Sequence, residues 1–132
     1  MFDQEIVLEN LHNISNALKT ILDRTVSIKS SDDFISSPSG TLCLDAVCMN
    51  LIALGEAVKG LDKITKGEFL LKYPQIYWSG VMRMRDKIAH HYFEVDPEVV
   101  FVTIQENIPP MIPVIEQMTK DIERLKNKRG VK

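Results

Sequence analysis

The stretch Val7-Leu8-Glu9-Asn10-Leu11-His12-Asn13-Ile14-Ser15-Asn16-Ala17-Leu18-Lys19-Thr20-Ile21 places an apolar residue every three or four positions. Val7, Leu11, Ile14, Leu18 and Ile21 share one face of a helix with 3.6 residues per turn. The spacing predicts a first helix that ends before Ser30-Ser31-Asp32-Asp33. The same pattern recurs in Leu44, Val47, Leu51, Leu54 and Val58, a second helix ending near Gly60. Tyr77, Val81, Met84 and Ile88 mark a third, starting after Pro74. Ile115, Met118, Ile122 and Leu125 mark a last one, with Pro109, Pro110 and Pro113 in or near its first turn. A short helix around 97–108 is expected before it, with Asp96-Pro97 as its start signal. Residues 29–41, rich in Ser with Pro38 and Gly40, read as a loop with one helical turn around Asp33–Ile35.

No segment alternates as a strand does. Each helix carries a single apolar stripe that must be covered by another helix, and the connections are short. The expected fold is therefore all-α, an antiparallel bundle of four to five helices. Its length of 132 residues suits one domain, and 45% hydrophobic residues suffice for one core. No apolar run reaches the roughly 18 residues of a membrane span, and the N-terminus has no signal-like apolar segment. Cys43 and Cys48 do not form a zinc pattern. They read as reduced thiols, which suits the cytoplasm.

Net charge is only -2, which by itself predicts no nucleic-acid partner. Its distribution is uneven. Residues 120–132 hold six basic residues against two acidic ones, a local +4, leaving -6 on 1–119. That basic end is the ordinary complement of a helix C-terminus, or a guide for an anionic ligand.

The chemistry concentrates in Arg85-Asp86-Lys87-Ile88-Ala89-His90-His91-Tyr92. A guanidinium holds phosphate bidentately and stays charged at every working pH. An imidazole can move a proton to or from a ribose oxygen. RNA brings its own nucleophile, the 2′-hydroxyl. The set therefore suits metal-free phosphodiester cleavage. The competing reading is a solvated helix face. His90 and His91 lack a third ligand for a metal, and no cofactor is implied.

On a wheel at about 100° per residue, Arg83, Asp86, Lys87 and His90 face away from Val81. Asp86 and His90, four apart, are expected to hydrogen-bond, which would orient the imidazole and raise its pKa. Arg85 falls about 40° from Val81 and about 140° from His90. For Arg85 and His90 to act on one substrate, the helix must distort or a second subunit must supply part of the site. Trp78 and Tyr77 are candidates for base stacking or for core anchors. Gly55 in Leu54-Gly55-Glu56-Ala57 predicts a close helix approach, with Glu56 placed to pair with a base of the third helix.

These residues resemble the HepT-like branch of the HEPN superfamily. The match rests on Tyr73-Pro74-Gln75-Ile76-Tyr77-Trp78, on Arg85, Asp86, His90 and Tyr92 in order, on Leu54-Gly55-Glu56-Ala57, and on Val99-Val100-Phe101 with Ile108-Pro109-Pro110-Met111-Ile112. The resemblance runs from about residue 44 to 118. It implies a homodimeric toxin of a two-gene toxin–antitoxin system that cleaves RNA without metal, its two motifs meeting at the dimer interface. It implies an MntA-like nucleotidyltransferase antitoxin that transfers AMP from ATP onto Tyr92. In that picture His90 is the general acid/base, Arg85 the phosphate clamp, Asp86 the orienter of His90, and Tyr92 a substrate contact and modification site. Two positions depart from the pattern. Arg83 stands where a small residue is common, Met49 where arginine is. Arg83, two residues before Arg85, gives a looser Arg-x6-His spacing with His90, shares its face, and is a candidate to bind phosphate beside Arg85 or instead of it. A different class of function stays open, a non-catalytic helical module that binds a nucleotidyltransferase. A small-ligand-binding bundle has no sequence feature behind it.

Overall fold

A computed structural model of the chain describes residues 2–130, with side chains described through Lys128. It is all-α: α1 Gln4–Arg24, α2 Pro38–Ile64, α3 Trp78–His90, α4 Pro97–Val102 and α5 Ile108–Gly130, with no strand among the described residues. Three short 3-10 segments, Ser31–Phe34, Leu70–Lys72 and Tyr92–Glu94, sit in the connections.

The five stripe residues of α1 are all buried at 0% exposure. Each such side chain contributes about 1.5–3 kcal/mol by leaving water, so the stripe anchors the core. Asp3 Oδ1 caps the helix, accepting from the Glu5 N–H at 2.9 Å. Thr25 closes it with its hydroxyl on the Ile21 carbonyl at 2.8 Å. Thr65 does the same for α2 on Leu61. α1 packs between α2 and α5, and α3 packs on the far side of α2. The Lys126–Glu5 ion pair, 2.9 Å, joins the end of α5 to the start of α1, so these two run antiparallel.

α2 begins earlier than the periodicity indicates. Ser37 is its cap, with its hydroxyl accepting the Gly40 N–H at 3.0 Å, and Pro38 occupies the first turn. The supposed loop 29–41 thus contains a helix start, which an apolar stripe cannot reveal because a first turn has no stripe of its own. Gly40 is required there: a Cβ would stand 2.0 Å from the Asp33 carbonyl oxygen. α2 also runs past Gly60 to Ile64. By length and composition it could cross a bilayer. Its buried residues Val47, Cys48, Leu51, Leu54, Val58 and Leu61 instead belong to the bundle core.

The C-terminal helices are joined rather than separate. Residues Thr103–Asn107 form a π-helical turn that links α4 directly to α5, and Pro113 lies inside α5. The Ile108 N–H reaches back to the Thr103 carbonyl, five residues away. Pro109 and Pro110 follow immediately and have no N–H to give, so the α register is interrupted at that point without breaking the helix. Leu125 is 47% exposed because the stripe runs off the end of the bundle. Within the basic end, Lys126 is paired with Glu5 and Arg124 lies 3.8 Å from Asp121. The Arg129 side chain and Lys132 lie outside the described residues.

The connection into α3 is pinned. Trp78 is buried and donates its indole N–H to the Tyr73 carbonyl at 2.9 Å. Tyr73 donates its hydroxyl to Asp121 at 2.6 Å, tying the connection to α5. Burial and this bond push the Tyr73 hydroxyl far above the usual tyrosine range. Trp78 is thus a core anchor, while Tyr77 beside it is 66% exposed.

Candidate functional site

Gly55 determines where Arg85 sits. A Cβ on Gly55 would fall 2.1 Å from the Arg85 Cβ and 3.3 Å from the Val81 carbonyl oxygen. α2 and α3 therefore approach at backbone distance, as the sequence suggests. The contact turns Arg85 toward α2, where it is 23% exposed and pairs with Glu56, Nε to Oε1 at 2.6 Å. The Nε–H does not point along that line, so the pair is an electrostatic contact and the buried Nε–H has no aligned hydrogen-bond partner. Arg85 Nη1 donates to Asp86 Oδ1 at 3.0 Å. Lys59, one turn along α2 from Glu56, donates to the same Oδ1 at 2.9 Å.

Asp86 is accordingly not the partner of His90. The expected i, i+4 bond does not form, because the carboxylate turns sideways to the two cations between α2 and α3. Hydrogen bonds from Lys59 first and Arg85 second hold the Asp86 carboxyl below the usual carboxylate range. His90 is the last residue of α3 and is exposed. Among the described residues it makes no side-chain hydrogen bond or ion pair.

Tyr92 lies in the 3-10 turn beyond α3 and donates its hydroxyl to Asp45 Oδ1 on α2. That bond to a carboxylate pushes the Tyr92 pKa up to about 12. The neighbouring Phe93 is 99% exposed. Arg83 points elsewhere: its Nη2 donates to the Tyr77 hydroxyl, and its guanidinium lies 5.1 Å from that ring's centroid. A hydrogen bond from Ser79 and then the Arg83 contact lower the Tyr77 pKa. Arg83 and Arg85 therefore serve different sides of α3. His91 Nδ1 lies 3.8 Å from Glu94, and His12 pairs with Asn16 at 3.2 Å.

The structure thus joins Arg85 with Asp86, and Tyr92 with α2, but leaves His90 apart from both groups. Residue spacing identifies neither Asp45 nor Lys59 as part of the set. Asp45 does carry a weak signal, a lone charge in the apolar run Leu44-Asp45-Ala46-Val47. Among the described residues no three His, Cys, Asp or Glu side chains gather as a metal-ligand set. A cavity of about 680 Å³ opens on the other flank of α3, lined by Tyr77, Val81 and Met84 with Val99, Val102 and Thr103. It touches none of Arg85, His90 and Tyr92, so this cavity and the charged motif occupy different places.

Comparison with known proteins agrees with the family resemblance. The profile of the family described as ribonuclease HepT-like matches residues 14–118. The chain is 36% identical over 113 residues to a candidate RNase, MJ0127, of Methanocaldococcus jannaschii, covering 86% of this chain and 87% of that one. It is 33% identical over 110 residues to a candidate ribonuclease HepT of Thermococcus cleftensis, covering 83% and 93%. A candidate RNase of Caldanaerobacter subterraneus subsp. tengcongensis is 33% identical over 112 residues, covering 85% and 89%. No solved structure matches the chain significantly. With the Arg85–His90–Tyr92 order, the Gly55 contact and this match over most of its length, the chain belongs to the ribonuclease HepT-like family of the HEPN superfamily.

Proposed function

We propose that this protein is a metal-independent endoribonuclease acting in the cytoplasm as the toxin of a two-gene system. The carrying observation is the pose of Arg85, a guanidinium fixed between Glu56 and Asp86 on the same helix as an exposed, uncommitted His90. The 2′-hydroxyl of RNA attacks the adjacent phosphorus, and the bond to the 5′-oxygen breaks. One proton leaves the nucleophile and one reaches the leaving oxygen. Arg85 neutralises charge on the phosphate as it builds. A single His90 cannot perform both transfers at once. A homodimer that brings two copies of His90 to one cleft supplies both, and the exposed Phe93 and Met49 are apolar surface available to such an interface.

Regulation by an MntA-like nucleotidyltransferase antitoxin fits Tyr92. Its oxygen would attack the α-phosphorus of ATP, pyrophosphate would leave, and Asp45 would take the proton it already accepts in hydrogen bonding. The attached AMP would carry negative charge into the RNA site.

Cleavage of total RNA by the wild type, His90→Ala and Arg85→Ala tests the assignment. The His90→Ala rate is expected to fall about 10²–10⁴-fold. Undiminished cleavage by both variants overturns it. The cavity beside Tyr77 favours a second reading, a non-catalytic module that binds a nucleotidyltransferase partner. That reading requires a stable complex with no cleavage by the wild type.

A further inference from the structure

Lys59 has no role in the reading above, yet its position is specific. Lys59 Nζ and Arg85 Nη1 meet on one oxygen, Asp86 Oδ1, at 2.9 and 3.0 Å. They come from different helices, and the Gly55 contact is what brings those helices close enough. Two cations that share one carboxylate oxygen are spaced to share one phosphate instead. Both anions offer oxygen acceptors of similar size, and Arg and Lys each bind phosphate well.

The two carboxylates of the cluster differ in what they hold. Glu56 contacts the tucked side of Arg85 at Nε and fixes its direction. Asp86 is 45% exposed and Lys59 is 40% exposed, so the bridge between the cations faces solvent. Asp86 can rotate into solvent away from Lys59 Nζ and Arg85 Nη1, while Glu56 contacts Arg85 at a different nitrogen, Nε, and is not in the way of that exchange. As it stands the cluster is neutral, two cations against two carboxylates. An anion that displaces Asp86 keeps both cations paired and releases a carboxylate to water.

We infer that Lys59 is a phosphate-binding residue of the RNA site, and that Asp86 is a placeholder which a backbone phosphate of RNA displaces from between Lys59 and Arg85. This rests on the nuclease reading for the identity of the ligand, and it gives α2 a direct part in the site. It also gives Asp86 the opposite sign from a catalytic orienter, because removing its charge should help binding.

The test uses the full-length protein and an uncleavable 2′-deoxy-substituted RNA oligonucleotide, with binding followed by fluorescence anisotropy across a salt series. Each phosphate contact to a single strand contributes about 0.7 to the slope of log affinity against log salt. Lys59→Met should lower that slope by roughly 0.7 and weaken low-salt binding by about fivefold, the worth of one close charge pair in water. Lys59→Arg should retain the slope. Asp86→Asn should bind more tightly than the wild type. Thermal melting reports whether each variant folds, and Lys59→Gln serves if the methionine variant does not. A slope unchanged in both neutral variants, or weaker binding by folded Asp86→Asn, overturns the inference. Cleavage of ordinary RNA by the wild type is read separately. Intact cleavage with an unchanged slope removes Lys59 alone and leaves the nuclease reading in place.

Discussion

The two flanks of α3 are built differently. On the α2 flank the backbones touch at Gly55, and four charged side chains, Glu56, Lys59, Arg85 and Asp86, close over the contact. On the other flank, toward α4 and the π turn, a cavity of about 680 Å³ remains, and Tyr77 lies largely exposed at its mouth. One flank leaves no room for even a methyl at Gly55, the other leaves a cavity. Precision in this helix is therefore local. It is set by a single missing side chain on the neighbouring helix, and the proposed catalytic arginine sits at that spot.

Arg85→Lys gives the largest expected effect. One ammonium cannot reach Glu56 and Asp86 together in a fixed fork, so RNA cleavage should fall about 10²-fold or more. Cleavage near the wild-type rate would show that fixing Arg85 has no functional consequence.

Next comes Gly55→Ala set against Gly60→Ala, two glycines of the same helix. The added methyl at Gly55 meets the Arg85 Cβ, which cannot swing aside, so overpacking should cost about 1–3 kcal/mol. The methyl at Gly60 meets nothing within 4 Å and should gain up to about 1 kcal/mol from helix propensity. Thermal melts should move in opposite directions. Equal shifts would show that the tight flank owes nothing to Gly55.

The smallest effect is spectroscopic and compares Tyr77 at the cavity with Tyr92 on the α2 flank. Ser79 and Arg83 lower the Tyr77 pKa, and the bond to Asp45 pushes Tyr92 up to about 12. For Tyr92 the folded value is the raised one. Its bond to Asp45 is therefore complete below the ordinary value of 10.0 and is lost as pH rises through about 12. Near-ultraviolet titration should show one early tyrosinate, removed by Tyr77→Phe. Asp45→Ala should bring Tyr92 back toward its ordinary range. A Tyr92 transition that does not move in Asp45→Ala would remove the tie between the motif turn and α2.

Much of this architecture is legible in periodicity, because burying a stripe is a local property of spacing. All five stripe residues of α1 are buried, and Ile88, Met118 and Ile122 are core on their helices. Helix ends are less legible, because Ser37, Pro38 and the prolines near Ile108 act through backbone hydrogen bonding rather than through a stripe. In the site, the order Arg85, His90, Tyr92 and the partnership of Gly55 and Glu56 with α3 follow from sequence. The direction of Asp86 does not. On an isolated helix its polar neighbours are Arg83 three residues back and His90 four residues on, but α2 offers Lys59.

The sequence by itself determines that this chain is a helical bundle of the HepT-like family with a basic–imidazole motif on its third helix, because stripes and motif order are written along one chain. Only the tertiary structure decides that α2 completes the charged cluster, that Asp45 holds Tyr92, and that Arg83 and Arg85 part to opposite flanks. Those pairings span 27 to 47 residues along the chain in the case of Lys59–Asp86 and Tyr92–Asp45. Separations of that size carry no periodic signal, and they become contacts only when two helices come within a glycine's distance of each other.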